Sequence, residues 1–107
     1  LGRKVAILGD MGELGENEKL LHYNVGCYAA DARADAVFLA GTLSKETARG
    51  IEAKAPGMTC RHFYTREELL KALPLLLLKG DSILVKASHF MEFNQIVEYL
   101  KQTGETL

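Results

Sequence analysis

Val5-Ala6-Ile7-Leu8-Gly9-Asp10-Met11-Gly12-Glu13-Leu14-Gly15-Glu16 decides the fold. The first four residues form an unbroken apolar run, which reads as a buried strand. Three glycines and three acids then alternate up to Asn17, where an amphipathic helix begins. A strand, a glycine-rich turn and a helix make the start of a βα unit. Open α/β sheets hold their ligands just beyond the carboxyl ends of such strands. The glycines allow a tight turn or a close approach of the backbone. Asp10, Glu13 and Glu16 would repel phosphate oxygens at a helix start that otherwise attracts them. They suit an ammonium group, a metal or an arginine, while Glu16 also simply complements the helix dipole.

The same alternation continues along the chain. Residues 17–33 read as a helix with Asn17 as N-cap and Leu21, Val25, Tyr28, Ala29 and Ala32 on one face. Residues 36–40 form a second strand, closed by Gly41. Leu43, Thr47, Ile51 and Ala55 mark a second helix, capped by Thr42 or Ser44 and ended by Pro56-Gly57. Residues 59–64 make a third strand. Thr65-Arg66-Glu67-Glu68 is a capping box that starts a third helix at Arg66. Pro74 predicts a kink or restart within it, and Lys79-Gly80-Asp81 its end. Residues 82–86 form a fourth strand. A fourth helix starts near Met91 and is lined by Phe93, Ile96, Val97 and Leu100. Four βα units in a row predict an α/β fold: a Rossmann-like, doubly wound parallel sheet of strand order 3-2-1-4 in three α/β/α layers. That order brings the loops 9–16 and 87–90 together at the switch point. No repeat or linker interrupts the pattern, so residues 1–107 form a single domain.

Composition bounds the function classes. The 107 residues are 48% hydrophobic and 25% charged with net charge −1, ordinary for a globular domain. A chain this long buries roughly two thirds of its unfolded surface, enough for one core. No basic excess or run supports nucleic-acid binding. The apolar run 75–78 is far below the ~20 residues of a membrane span. No signal-peptide pattern precedes the first strand. Cys27 and Cys60 show no ligand spacing and read as reduced thiols of a cytoplasmic protein. The start at Leu1, almost on the first strand, suggests a domain excised from a larger protein.

The glycine spacing is GxxGxxG, neither the dinucleotide GxGxxG nor a P-loop, so this loop does not hold a nucleotide by itself. Lys86-Ala87-Ser88-His89-Phe90 ends the last strand at a helix start, a place suited to a carboxylate or phosphate. The plainer reading is that Ser88 caps the helix and Lys86 reaches solvent. Together the loops offer an acidic and a basic side, which suits a zwitterion such as an amino acid or dipeptide. His22, His62 and His89 lack zinc spacing, and no metal site is expected. His22 reads as a structural residue beneath the first loop. No nucleophile elbow is present.

The string from Arg3 to Met11 followed by Glu13-Leu14-Gly15 resembles the C-terminal domain of Mur ligases, in particular of those that add D-alanyl-D-alanine. His22 with Val25-Gly26 fits that resemblance. So do Gly80-Asp81, Leu84-Val85-Lys86, Ser88, Met91 and Val97, and it spans about residues 2–101. It implies a cytoplasmic, monomeric, three-domain ligase of peptidoglycan synthesis that uses ATP and magnesium. An acyl-phosphate forms on UDP-N-acetylmuramoyl-tripeptide, and the amine of D-alanyl-D-alanine attacks it. By resemblance, Asp10, Met11 and Glu13 face the cleft, and Lys86, Ser88 and His89 lie in the loop that meets the incoming carboxylate. Ala87 stands where the family usually has glycine, and His89 where arginine is common. An imidazole is not an always-charged bidentate donor. The P-loop and UDP-sugar domains are not in this sequence, nor is the family's Asn-Ala-Asn-Pro stretch, so one βα unit is expected to be missing at the edge. The chain by itself is expected to contain no catalytic residue, bind no ATP or magnesium and be inactive. Two other readings stand: a non-catalytic flavodoxin-like or receiver-like binding module, and the equivalent domain of a sister ligase.

Overall fold

The computed structural model describes residues 2–12, 15–87 and 94–106, with side chains as far as Lys101. Its elements are β1 (Lys4–Gly9), a 3-10 turn (Gly15–Asn17), α1 (Glu18–Asp31), β2 (Ala36–Ala40), α2 (Ser44–Lys54), β3 (Thr59–Phe63), α3 (Arg66–Leu76), β4 (Ser82–Lys86) and α4 (Asn94–Thr106). All strand pairs are parallel, and the order is β3-β2-β1-β4 as the sequence predicts. Val5 lies opposite Ala36 on one side and Ile83 on the other, and Leu8 opposite Leu39 and Lys86.

Strand alternation divides the core between the two faces of the sheet. On one face Val5, Ile7, Ala36, Phe38 and Ala40 pack against Leu69 and Leu73 of α3 and Ile96 of α4. On the other, Val37, Leu39 and Ile51 are joined by Ala6, Leu8 and Ala29. All five residues of β2 are buried, as befits a strand with neighbours on both sides and helices on both faces. The helix pair α1 and α2 meets through glycines. A Cβ on Gly26 would lie 2.0 Å from the Thr47 carbonyl oxygen, and one on Gly50 2.1 Å from that of Tyr23.

Three local expectations change. The residues of α1 with no exposure worth the name are His22 and Gly26, whereas Leu21 and Tyr28 are exposed. The stripe faces an open groove of about 500 Å³ along β1 and β4, walled by Val25, Tyr28, Ala29 and Leu84 and flanked by Lys4 and Lys86. Asn17 occupies the N-cap of α1, but its side chain makes no capping bond. Helix α3 begins with the predicted Thr65–Glu68 capping box and runs through Pro74 without restarting, but ends at Leu76, short of Lys79. Pro74 sits two residues from that end, so the donor it lacks costs one bond in the final turn. The expected start of the fourth helix near Met91, and Phe93 on its face, lie outside the described residues; Ile96 is buried and Val97 and Leu100 half-buried.

At the amino ends of the strands, Arg3 Nε and Nη2 donate to Asp81 Oδ1 and Oδ2 at 3.1 and 2.8 Å. Nη2 also donates to the Leu76 carbonyl, and the Leu78 amide donates to Asp81. This fork fastens β1 to the segment between α3 and β4. Both cysteines are free thiols, and burial, with Glu52 nearby, pushes the Cys60 thiol up to about 11.

Candidate functional site

Strands β1 and β4 end side by side, so the segments that follow them share one corner of the sheet. Between them lies a cleft of about 310 Å³ lined by Gly9, Met11, His22, Thr47, Lys86 and Ala87. This is the switch point: chain leaving β1 turns toward α1 and β2, and β4 lies on the opposite side of β1.

Each predicted residue can be placed in turn. Met11 lines the cleft, and its N–H donates to His22 Nε2 at 3.0 Å. Lys86 lines the same cleft from the end of β4, exposed, with no carboxylate in ion-pair reach among the described residues. Asp10 is buried at 7% exposure, with its carboxylate directed at the start of α2. It accepts the Leu43 amide at 3.1 Å, the Ser44 amide at 2.8 Å and the Ser44 hydroxyl at 2.8 Å. Neither Thr42 nor Ser44 caps this helix: the N-cap is Leu43, whose side chain contributes no bond. Asp10 supplies the cap from just beyond the end of β1, and its carboxylate sits at the positive end of the helix. The contact is so close that a Cβ on Gly41, at φ +127°, would lie 2.2 Å from Asp10 Oδ1. Glu13, Ser88 and His89 lie outside the described residues. Glu16 is exposed in the 3-10 turn.

Sequence reasoning placed His22 beneath the loop and missed that it lines the cleft. It is wholly buried, with Nδ1 2.6 Å from the Glu18 carbonyl oxygen. A carbonyl only accepts, so Nδ1 carries the proton; Nε2, facing the Met11 N–H, must then be bare. The ring is therefore neutral in this arrangement. Thr47, buried on α2, was also missed as a cleft residue because its helical stripe marked it only as core. The corner thus combines a lysine, a neutral histidine, a threonine and strand-end backbone. Among the described residues no group of three or more His, Cys, Asp or Glu side chains is placed to hold a metal ion. No described helix is long and apolar enough to cross a membrane.

Comparison with known proteins gives the family and the fold. Residues 2–89 match the family described as Mur ligase, glutamate ligase domain. A UDP-N-acetylmuramoyl-tripeptide–D-alanyl-D-alanine ligase of Bacillus subtilis is 35% identical over 99 residues, covering 92% of this chain and 22% of the relative. The enzyme of that name from Buchnera aphidicola subsp. Baizongia pistaciae is 42% identical over 101 residues, covering 92% and 21%. A crystal structure of MurF from Acinetobacter baumannii superposes with TM-score 0.81 at 25% identity, over 95% of this chain and 23% of that one. MurF ligase from Thermotoga maritima, in complex with ADP, superposes with TM-score 0.66 at 28% identity, over 99% and 23%. The chain spans about a fifth of the length of the curated relatives it matches.

Proposed function

The chain belongs to the Mur ligase family through its glutamate ligase domain, and from that premise we propose that it is the C-terminal, substrate-binding and closing domain of a cytoplasmic ligase that adds D-alanyl-D-alanine to UDP-N-acetylmuramoyl-tripeptide. The relatives that carry this activity in their names support the choice over a sister ligase. The family match leaves no ground for the flavodoxin-like or receiver-like reading. The observation that supports the site assignment is that Lys86 lines the switch-point cleft together with Met11 and His22. A dipeptide carboxylate entering there meets the ammonium of Lys86, a charge-assisted contact. Asp10 in this reading holds the start of α2 and is not the partner of the guest's amine, since its carboxylate already accepts three hydrogen bonds there. In this reading Glu13 is the acid left to meet that amine, and Ser88 and His89 extend the basic side.

The sequence has no P-loop. ATP and magnesium are therefore assigned to the remaining length of the whole protein, which acts as a monomer in this proposal and alone performs the phosphoryl chemistry. The same division explains the groove beside α1. Parallel sheets are covered on both faces, and a helix from the remainder of the whole protein, part of a further βα unit, is proposed to lie over Leu84.

The test is kinetic, on the whole ligase with tripeptide, ATP and D-alanyl-D-alanine. Lys86→Ala is expected to raise KM for D-alanyl-D-alanine by about ten- to a hundredfold, the worth of one hydrogen bond to a charged group, and to leave KM for ATP unchanged. Equal effects on both substrates would remove Lys86 from the acceptor site. Turnover by the 107-residue chain alone would overturn the division of labour.

A further inference from the structure

We infer that His22 is a positioning residue of the switch-point cleft: as a neutral, Nδ1-protonated imidazole it fixes the Asp10–Met11 turn against α1 and so sets the wall that the ligand meets. The inference rests on the functional reading above for its ligand and on geometry for the rest. His22 is the fully buried ring of α1, one helical turn after Glu18. The Glu18 carbonyl fixes its tautomer from one side, at 2.6 Å. The other nitrogen takes the Met11 amide at 3.0 Å, across the floor of the cleft.

The turn is held from two directions. Asp10 ties it to the start of α2 through Leu43 and Ser44. His22 ties the next residue to α1. The two helices are themselves locked where Gly26 abuts Thr47 and Gly50 abuts Tyr23. One wall of the cleft is thereby a rigid assembly of β1, α1 and α2, and the Met11 amide is directed into it. Lys86 lines the same cleft from the end of β4. A bond that fixes a wall acts on how well the ligand is received, so its loss shows in KM before kcat.

Three substitutions in the whole ligase separate positioning from packing. His22→Phe fills the space without either bond and is expected to raise KM for D-alanyl-D-alanine about tenfold, with kcat within about twofold. His22→Gln, whose Oε1 reaches toward the place of Nε2, is expected to recover most of the loss. His22→Asn, whose acceptor stops near the place of Nδ1, is not. If Phe leaves KM unchanged, or Gln and Asn behave alike, the inference is overturned; should Phe fail to fold by circular dichroism, the Gln and Asn pair decides. Nitrogen NMR of the whole ligase, labelled at histidine ring nitrogens and methionine amides, gives a second arm. It should show the proton on Nδ1 of His22 and a scalar coupling from the Met11 amide to Nε2, and a proton on Nε2 overturns the inference. Failure of the wild-type whole protein to use D-alanyl-D-alanine would instead overturn the functional reading, and the NMR result would still decide the hydrogen bond.

Discussion

At Asp10 and Asp81, carboxylates serve as ties between distant segments. Asp10 binds backbone 33 and 34 residues further on, and Asp81 takes the guanidinium of a residue 78 positions before it. The second tie has a pH signature. The hydrogen bond from Arg3 holds the Asp81 carboxyl below its ordinary value, more strongly than burial raises it. The unfolded chain therefore takes up that proton at higher pH than the folded one. The stabilisation is fully present above the ordinary aspartate value near pH 4 and is lost as pH falls through the lower folded value. Asp81→Asn is expected to cost about 1–3 kcal/mol near pH 6 and much less near pH 2.5, by urea unfolding. A cost independent of pH would mean the charge is irrelevant. The site was legible only so far as its partners were local. Lys86 and Met11 could be placed beside the cleft because one ends an apolar strand and the other follows one. Asp10 read as a ligand-facing acid because nothing in its own loop shows that Leu43 and Ser44 will come to it. His22 gave only the faint signal of a polar residue on a helix under a turn.

Among the elements, strands were the most legible. Three short apolar runs and the mixed segment 59–64, each bounded by glycine, proline or a charged turn, reproduce the observed strands to within a residue or so. The capping box at Thr65 fixed the start of α3, because both of its bonds are local. The apolar stripe of α1 was legible as one face, but periodicity does not say what covers it, and only part of it packs on the core. What sets its orientation is Gly26 pressed on α2, and a glycine contributes nothing to an apolar stripe. Gly26→Ala tests this. In a free helix the change is favourable by about 1 kcal/mol. Here the new Cβ would meet the Thr47 carbonyl oxygen at 2.0 Å, so the expected result is a net loss of at least about 2 kcal/mol by thermal or urea unfolding. Gly57→Ala, with nothing within 4 Å of the added carbon, should stay within about 0.5 kcal/mol of wild type. Equal behaviour of the two variants would show that α1 and α2 have room to part.

On the scale of the whole molecule, the sheet is unequally covered. Helices α3 and α4 pack over one face, and α1 and α2 over the other, yet the residues of β4 on that second face look into the open groove. Leu84, in the middle of a strand, is 58% exposed, and Tyr28 opposite it on α1 is 77% exposed. A leucine there gains little from the 107-residue chain alone and has a full side chain still to bury. Leu84→Gln should therefore change the stability of this chain by no more than about 0.5 kcal/mol. In the whole ligase, where the proposed helix covers the groove, the same substitution should cost about 1.5–3 kcal/mol, the worth of burying one large apolar side chain. The measurement is a pair of urea titrations, one on each protein, with the transition of this domain followed through Tyr28. The difference between the two costs is the quantity that matters, since it cancels whatever glutamine does to the strand itself. An equal cost in both proteins would mean that the groove stays open in the whole ligase, and that the face of β4 is left to solvent or to the closing motion of the domains.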